Sequence, residues 1–190
     1  MEQVAIKEEI RIEKPRERKK RAVFVIAFRD FRDREYFISR EILESEGVEI
    51  KTASTSKGIA LGADGGEARV DFLINEANLS DFEGVIFIGG PGTLQYLDNK
   101  DSYKIIRETI EQNKILAAIC ISPVILAKSG VLDGKRATVW ASSLDRKPIK
   151  ILEENGAIYL EEKVVQDGRI ITANGPLATE DFAKKILENL

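Results

Sequence analysis

The chain of 190 residues contains no histidine, and this absence excludes several familiar kinds of active site. A Cys-His or Ser-His catalytic pair cannot form within the chain or between copies of it. Zinc sites of the usual Cys/His type are also excluded, because one sulfur and no imidazole cannot fill a tetrahedral shell. Acid–base chemistry must therefore use carboxylates, lysines, tyrosines or the thiol, and we expect neither a metal nor another cofactor.

Cysteine and long apolar runs are equally scarce. The single cysteine, Cys120, excludes an internal disulfide. No apolar stretch approaches the roughly 20 residues that a membrane span needs, and the N-terminus has no apolar signal-peptide core. The formal net charge of -3 gives no general reason to expect a nucleic-acid partner. We therefore expect a cytoplasmic protein without a membrane partner.

Charge is distributed unevenly along the chain. Lys and Arg outnumber Asp and Glu in residues 1–21, which include the run R-E-R-K-K-R. Such a run can contact a phosphate backbone, but it is more often a solvated tail. We expect a charged extension over residues 1–20 and a single domain over residues 21–190. The charged fraction of 32%, rich in Lys, Arg and Glu, resembles that of proteins from hot environments.

The remainder of the chain alternates between predicted strands and helices. Strands are predicted over 22–28, 48–54, 84–88, 115–119, 136–140, 158–160, 164–165 and 170–172, and helices over 33–46, 102–112, 147–155 and 178–190. This alternation predicts an α/β fold with a mostly parallel sheet covered on both faces. In such sheets ligands bind beyond the carboxyl ends of the strands.

Three segments with chemically interesting residues follow predicted strands. The segment I-L-A-A-I-C-I-S-P places Cys120 at a strand-to-helix corner, with Ser122 as helix cap and Pro123 as first helical residue. A helix N-terminus favours the thiolate, so this position predicts a lowered thiol pKa. The alternative is a buried, inert cysteine that fills the core.

The second segment is the glycine turn after Ile88. Gly89 and Gly90 lack a Cβ, so their backbone can approach a ligand closely. The amides of Gly90 and Ile121 can together form an oxyanion hole. The alternative is an ordinary tight turn, and the turn is not a phosphate loop because a Gly-Lys-Ser/Thr ending is missing.

The third segment begins the helix after the first strand and offers three carboxylates. A partly desolvated carboxyl that faces the thiol has a raised pKa, and it can stabilise a thiolate or serve as general acid or base. Periodicity alone does not choose between Asp33, Glu35 and Glu41. The alternative for each is an exposed helix carboxylate.

Four segments resemble the ThiJ/PfpI family and occur in the order found in that family. They are R-E-Y-F-I-S-R-E-I-L-E-S-E-G-V-E-I-K-T-A-S, V-I-F-I-G-G-P-G-T, A-A-I-C-I-S-P-V-I-L-A-K-S-G-V-L-D-G-K-R-A-T-V-W and G-R-I-I-T-A-N-G-P. The resemblance implies a flavodoxin-like three-layer sandwich with a nucleophile elbow, and a homodimer or larger homo-oligomer. It assigns Cys120 as the elbow cysteine, Glu35 as the glutamate that hydrogen-bonds it, and Gly89 and Gly90 as pocket glycines.

The chain also departs from that family. Peptidase-like members carry His directly after the cysteine, where this chain has Ile121. Deglycase-type members have a separate His near the end of the following strand, but residues 140–143 contain none. The glycine usually found two residues after the cysteine is Ser122. A Cys-His peptidase is therefore disfavoured.

Three functions remain open from the sequence. The first is glyoxalase or deglycase chemistry on small reactive carbonyl compounds, using Cys120 and Glu35. The second is a non-catalytic stress sensor or chaperone in which Cys120 is oxidised. The third is a scaffold that has lost the chemistry of the family.

Overall fold

The computed structural model describes residues 19–190, so the predicted extension over residues 1–20 lies almost entirely outside the described residues. The strands are β1 (Arg21–Val25), β2 (Arg29–Phe31), β3 (Glu49–Ser54), β4 (Gly58–Gly62), β5 (Glu67–Val70), β6 (Phe72–Leu73), β7 (Gly84–Phe87), β8 (Ile115–Ile119), β9 (Arg136–Ala137), β10 (Ile158–Tyr159), β11 (Val164–Asp167) and β12 (Ile170–Ala173). The helices are α1 (Asp33–Ser45), α2 (Thr93–Leu97), α3 (Lys100–Glu111), α4 (Pro123–Lys128), α5 (Lys147–Glu154) and α6 (Thr179–Leu187), with short 3-10 turns at Ile74–Glu76, Leu79–Asp81 and Pro176–Ala178.

Seven strands form the central sheet, in the order β11-β12-β8-β7-β1-β3-β6. All neighbouring pairs in it are parallel except β11 and β12. The predicted α/β fold with a mostly parallel sheet is therefore confirmed. The carboxyl ends of β1, β7 and β8, three adjacent strands, lie at the same edge of this sheet.

Strand β1 shows how the sequence divides the core between two faces. Val23 and Val25 pack on one face, in a buried cluster that includes residues of α3, α4 and α5. Ala22 and Phe24 pack on the other, in a cluster that includes residues of α1 and α6. Successive side chains of a strand point to opposite faces, so a continuous apolar run is what a doubly covered strand requires. The result is the predicted three-layer sandwich.

Several boundaries differ from the prediction for local reasons. Helix α3 begins before the predicted Ser102, because the Asn99 side chain accepts hydrogen bonds from the amides of Asp101 and Ser102, both at 3.0 Å. The strand predicted over residues 136–140 ends at Ala137. Beyond it the Trp140 amide donates to the Cys120 carbonyl at 2.8 Å, which holds this segment beside the elbow.

A small second sheet lies next to the start of α1. Strands β4 and β5 form an antiparallel hairpin, and β2 pairs in parallel with β4. The Asp33 carboxylate accepts hydrogen bonds from the amides of Asp64 at 2.8 Å and Gly66 at 2.6 Å. This carboxylate therefore anchors the hairpin turn to the helix. Within residues 19–190 no helix is long and apolar enough to cross a membrane.

Candidate functional site

Cys120 occupies the sharp turn between β8 and α4, as predicted. Its φ of 64° is in the left-handed region, which costs a non-glycine residue roughly 1–3 kcal/mol. Two hydrogen bonds hold the turn: the Cys120 amide donates to Ala173 at 2.9 Å, and its carbonyl accepts from Trp140 at 2.8 Å. This is the strand-turn-helix arrangement of a nucleophile elbow.

Ser122 and Pro123 begin the helix after the elbow. Pro123 is the first residue of α4 and Ser122 stands at the cap position, as predicted. The Ser122 hydroxyl, however, does not cap the helix: it donates to the carbonyl of Ile88 at 2.9 Å. No capping bond forms because Ser122 has helical backbone angles (φ -61°, ψ -28°) rather than the extended ones that side-chain capping requires. The hydroxyl instead ties the elbow to the end of β7.

Glu35, in the first turn of α1, is fully buried. Its Oε2 accepts a hydrogen bond from the Gly89 amide at 3.0 Å. Its Oε1 makes no hydrogen bond within residues 19–190. The interaction with Cys120 affects the pKa of both groups, but it lacks the geometry of a formed hydrogen bond. Oε1 is therefore available to take a proton from the thiol.

Gly89 brings these two side chains together. A Cβ at position 89 would lie 2.4 Å from Cys120 Cβ, 2.8 Å from Glu35 Oε2 and 2.8 Å from the Ile119 carbonyl. Only a glycine permits this packing. Gly90 has φ +132°, and a Cβ there would lie 2.5 Å from the amide nitrogen of Arg32. Both predicted pocket glycines are therefore required by close backbone approach.

The two predicted oxyanion-hole amides belong to residues that line one pocket. Gly90 and Ile121 both contact it, together with Cys120. Neither amide donates to an oxygen atom within the described part of the chain. The Ile121 N–H instead lowers the pKa of the Cys120 thiol. These donors can stabilise negative charge that develops beside the thiol.

Burial raises the pKa of Glu35 from 4.5 to about 7. The Gly89 amide, the Cys120 thiol and the positive charge of Arg32 lower it, but they do not cancel the effect of burial. A carboxyl with a pKa near neutrality can accept a proton and return it. Glu35 is thus suited to general acid–base chemistry.

The lowered thiol pKa expected from the helix N-terminus is wrong. Burial and the adjacent Glu35 carboxylate raise the pKa of Cys120 well above its ordinary value, although the Ile121 amide and Arg32 oppose this. Helix α4 has only six residues, so its dipole is small. Above about pH 7 the pair keeps one proton, and the sulfur holds it.

The pocket above Cys120 has a volume of about 330 Å³. The sequence did not predict five of the residues that line it: Arg32, Pro91, Leu94, Trp140 and Pro176. No motif marks these residues, because they come from separate segments. Only the expectation that ligands bind beyond the strand ends gave their general location.

The other two carboxylates at the start of α1 have different surroundings. Asp33 anchors the hairpin, and Glu41 is exposed in a shallow cleft that also contains Arg40 and Arg69. Neither lines the pocket above Cys120. Of the three, only Glu35 is placed to act on the thiol.

Fold and site together define an α/β sandwich with a buried Cys-Glu pair at a nucleophile elbow. The model of the DJ-1/PfpI family matches residues 20–189. The chain belongs to this family.

Three relatives and one solved structure show how similar its members are. An uncharacterized protein of Methanocaldococcus jannaschii is 38% identical over 88% of this chain and 81% of its own length. The deglycase PfpI of Pyrococcus furiosus is 27% identical over 81% of this chain and 90% of its own. A glutathione-independent glyoxalase of Caenorhabditis elegans is 25% identical, with 90% and 89% covered. The ThiJ/PfpI domain protein of Brachyspira murdochii superposes with a TM-score of 0.84 at 31% identity, over 90% of this chain and 96% of that one. The predicted flavodoxin-like fold is confirmed.

Proposed function

We propose that the protein converts small reactive carbonyl compounds, 2-oxoaldehydes above all, with Cys120 as nucleophile and Glu35 as general acid and base. The observation that carries the proposal is the buried Glu35 carboxyl, with a pKa of about 7, beside a thiol that lines an open pocket. When the pKa of a base is near the operating pH, a large fraction of the base is unprotonated and the base is still strong enough to take a proton. No histidine is needed for this arrangement.

In the first step the Cys120 sulfur attacks the aldehyde carbon. Because the thiol is protonated at neutral pH, attack requires transfer of its proton to the ionised Glu35 carboxylate. A C–S bond forms, the carbonyl π bond breaks, and the oxygen becomes an oxyanion. The amides of Gly90 and Ile121 stabilise this charge, and Glu35 then returns the proton to give a hemithioacetal.

The following steps use the same carboxylate. Glu35 removes the proton from the former aldehyde carbon, which gives an enediol, and returns it to the neighbouring carbon. The hydroxyl proton on the former aldehyde oxygen passes to the oxygen of that neighbouring carbon, so that the product is a thioester of a 2-hydroxy acid. Water then cleaves the thioester, releasing the acid and restoring the thiol. The sum is the addition of one water to a 2-oxoaldehyde, with no external oxidant or reductant. Deglycases act on aldehyde adducts of amines. In such an adduct the former aldehyde carbon is the atom that would lie at the Cys120 sulfur.

The raised thiol pKa favours catalysis over the sensor alternative. A sensor cysteine must react with peroxide as a thiolate, in an exposed site of low pKa. Cys120 is only 7% exposed and its pKa is raised. A general base can activate such a thiol during attack on a bound substrate. The names of the deglycase and glyoxalase relatives support the same chemistry.

The experiment is turnover of methylglyoxal to lactate by the wild-type protein and two variants. We expect Cys120→Ala to abolish turnover, because the nucleophile is lost. Glu35→Gln should lower kcat/KM by about 10²–10⁴-fold, the usual contribution of a general base. In the wild type kcat/KM should rise with pH through about 7, as Glu35 loses its proton.

Asp33→Asn is the matched control, since it removes a carboxylate from the same helical turn but outside the pocket. Its activity should match that of the wild type. Absence of turnover, combined with a Cys120 that gains oxygen atoms at low peroxide concentrations, would contradict the proposal and favour the sensor. No turnover and an inert thiol would favour the scaffold. The homo-oligomer implied by the family resemblance stays a prediction, which light scattering tests directly.

A further inference from the structure

The pocket above Cys120 has one charged residue among those that line it within the described part of the chain, and it is Arg32. The rest of the lining is apolar or backbone, with Leu94, Ile121 and Trp140 as its large side chains. Within residues 19–190 no acidic residue lines the pocket; Glu35 is fully buried and does not reach it. A bound molecule therefore meets a single cation on otherwise apolar walls.

The Arg32 guanidinium is only loosely paired. Its Nη1 lies 3.7 Å from Oδ2 of Asp64, a side chain that is 64% exposed. Its Nε is buried and has no hydrogen-bond partner within residues 19–190. Guanidinium groups bind carboxylates through charge-assisted N–H donors, and the long contact with the exposed Asp64 lets Arg32 exchange that partner for a bound anion.

The fold fixes the backbone of this residue beside the reacting groups. Arg32 precedes α1, three residues before Glu35, and its amide donates to the Gly89 carbonyl at 2.8 Å. Its positive charge also acts on both Glu35 and Cys120. The cation thus lies close enough to interact with another part of a molecule whose carbonyl carbon is at the sulfur.

We propose that Arg32 selects carbonyl substrates that carry a carboxylate, so that the preferred substrate class is the acidic 2-oxoaldehydes rather than neutral ones. The reaction itself rests on the function proposed above, whereas the anion preference is a property of the pocket. A carboxylate in the pocket would otherwise approach the Glu35 carboxylate without compensation, which is unfavourable in a poorly solvated site. Arg32 supplies the compensating charge and charge-assisted N–H donors.

The first test uses two alkylating reagents that differ in charge, and it does not depend on turnover. Iodoacetate carries a carboxylate and iodoacetamide is neutral, and the single cysteine makes the product unambiguous by intact mass. We expect the rate ratio of iodoacetate to iodoacetamide to be about tenfold higher for Cys120 than for a free cysteine peptide, which corresponds to one modest charge-assisted contact. Arg32→Gln should bring the ratio close to that of the peptide.

The ratio separates recognition from general tuning of the thiol. If Arg32 acted only through the thiol and Glu35, its removal would change both rates alike and leave the ratio intact. Arg32→Lys should retain part of the preference, because lysine keeps the positive charge but lacks the planar guanidinium group. Asp64→Asn should raise the ratio, since it removes the competing carboxylate. Arg29→Gln, which removes a nearby exposed charge outside the pocket lining, is the control and should leave the ratio unchanged.

The second test compares kcat/KM for 4,5-dioxopentanoate, an acidic 2-oxoaldehyde, with that for methylglyoxal. We expect the wild type to favour the acid by about tenfold and Arg32→Gln to lose this preference. Turnover of methylglyoxal with an alkylation ratio equal to the peptide's would overturn the anion preference alone. An elevated, Arg32-dependent ratio without turnover of either aldehyde would overturn the proposed reaction and leave the anion pocket standing.

Discussion

Two carboxylates in the first turn of α1 occupy contrasting regions of the molecule. Asp33 lies at the hairpin, partly open to solvent, and its oxygens accept the amides of Asp64 and Gly66. Glu35 is buried beside the elbow, where one oxygen accepts the Gly89 amide and the other has no partner in the described chain. Both oxygens of the Asp33 carboxylate accept hydrogen bonds, and the group has a structural role. The Glu35 carboxylate keeps one oxygen without a hydrogen bond in the described chain, and this oxygen is available for proton transfer.

The contrast shows that burial, rather than residue type, determines what a carboxyl group does. Glu35 has a pKa raised to about 7, mainly because desolvation disfavours its charged form. Two residues away, a satisfied and hydrated carboxylate anchors a turn. Buried, incompletely paired groups are unfavourable for stability, and they are retained where chemistry needs them.

The largest expected effect comes from filling the space behind each carboxylate. In Gly89→Ala the new methyl group meets the Ile119 carbonyl and Cys120 Cβ, which cannot move independently of β8 and the elbow. We expect a loss of about 3 kcal/mol or more in the free energy of unfolding, and no catalysis. Urea denaturation and methylglyoxal turnover measure the two effects.

Gly66→Ala is the counterpart at the hairpin. Its methyl group would meet Asp33 Oδ1 at 2.3 Å and Phe37 Cε2 at 2.5 Å, both in partly exposed side chains that can rotate. Because Asp33 Oδ1 accepts the Gly66 amide, its rotation loses that hydrogen bond, and we expect a cost of about 2 kcal/mol with activity retained. Equal losses of stability in Gly89→Ala and Gly66→Ala would show that the elbow is no more rigidly packed than the hairpin.

The next effect is a pH-dependent gain of stability on removing the buried charge. The pKa of Glu35 is higher in the folded than in the unfolded chain, so the folded state binds more protons between about pH 4.5 and 7. Wild-type stability must therefore fall, through this group, as pH rises across that window. Glu35→Gln cannot ionise and should be more stable than wild type by about 3 kcal/mol at pH 8, but not at pH 4. Urea midpoints measured across this range test the sign.

A smaller effect is expected at the hairpin carboxylate. Asp33→Asn keeps the size of the side chain but replaces one carboxylate oxygen by an amide NH₂, which cannot accept a backbone hydrogen bond. We expect destabilisation by about 2 kcal/mol, with kcat/KM unchanged. Hydrogen exchange should locate the loss in the β4–β5 hairpin. A fall in activity larger than the change in folded population would show that the two regions are coupled.

The smallest effect concerns the reactivity of the thiol. Above the pKa of Glu35 its negative charge helps to keep Cys120 protonated. Glu35→Gln should therefore alkylate faster than wild type with iodoacetamide at pH 8.5, by about tenfold for each unit by which the thiol pKa falls. The same variant loses turnover, so opposite changes in alkylation and catalysis distinguish a general base from a group that merely stabilises a thiolate. Slower alkylation in Glu35→Gln would show that Glu35 promotes formation of the thiolate in the free enzyme and would contradict the expected effect of its charge.

Local pattern in the sequence was enough for the order of the main strands and helices and for the elbow, but not for the short β2 and α2. Apolar runs of strand length mark β1, β7 and β8, and the proline after Cys120 marks the start of α4. The absence of histidine by itself limited the acid–base chemistry to carboxylates, lysines, tyrosines and the thiol. The inferences about strands and elbow succeed because they depend on neighbours along the chain.

Only the tertiary structure decided which groups share the site and what their charges are. Periodicity could not separate Glu35 from Asp33, since both begin the same helix, and the family resemblance supplied that choice. The contribution of Arg32 and Trp140 to the pocket depends on segments distant in sequence. The raised pKa of Cys120 depends on desolvation and on a carboxylate 85 positions earlier in the chain, which outweigh the short helix that follows it. Burial is a property of packing between distant segments, and therefore no local motif could reveal it.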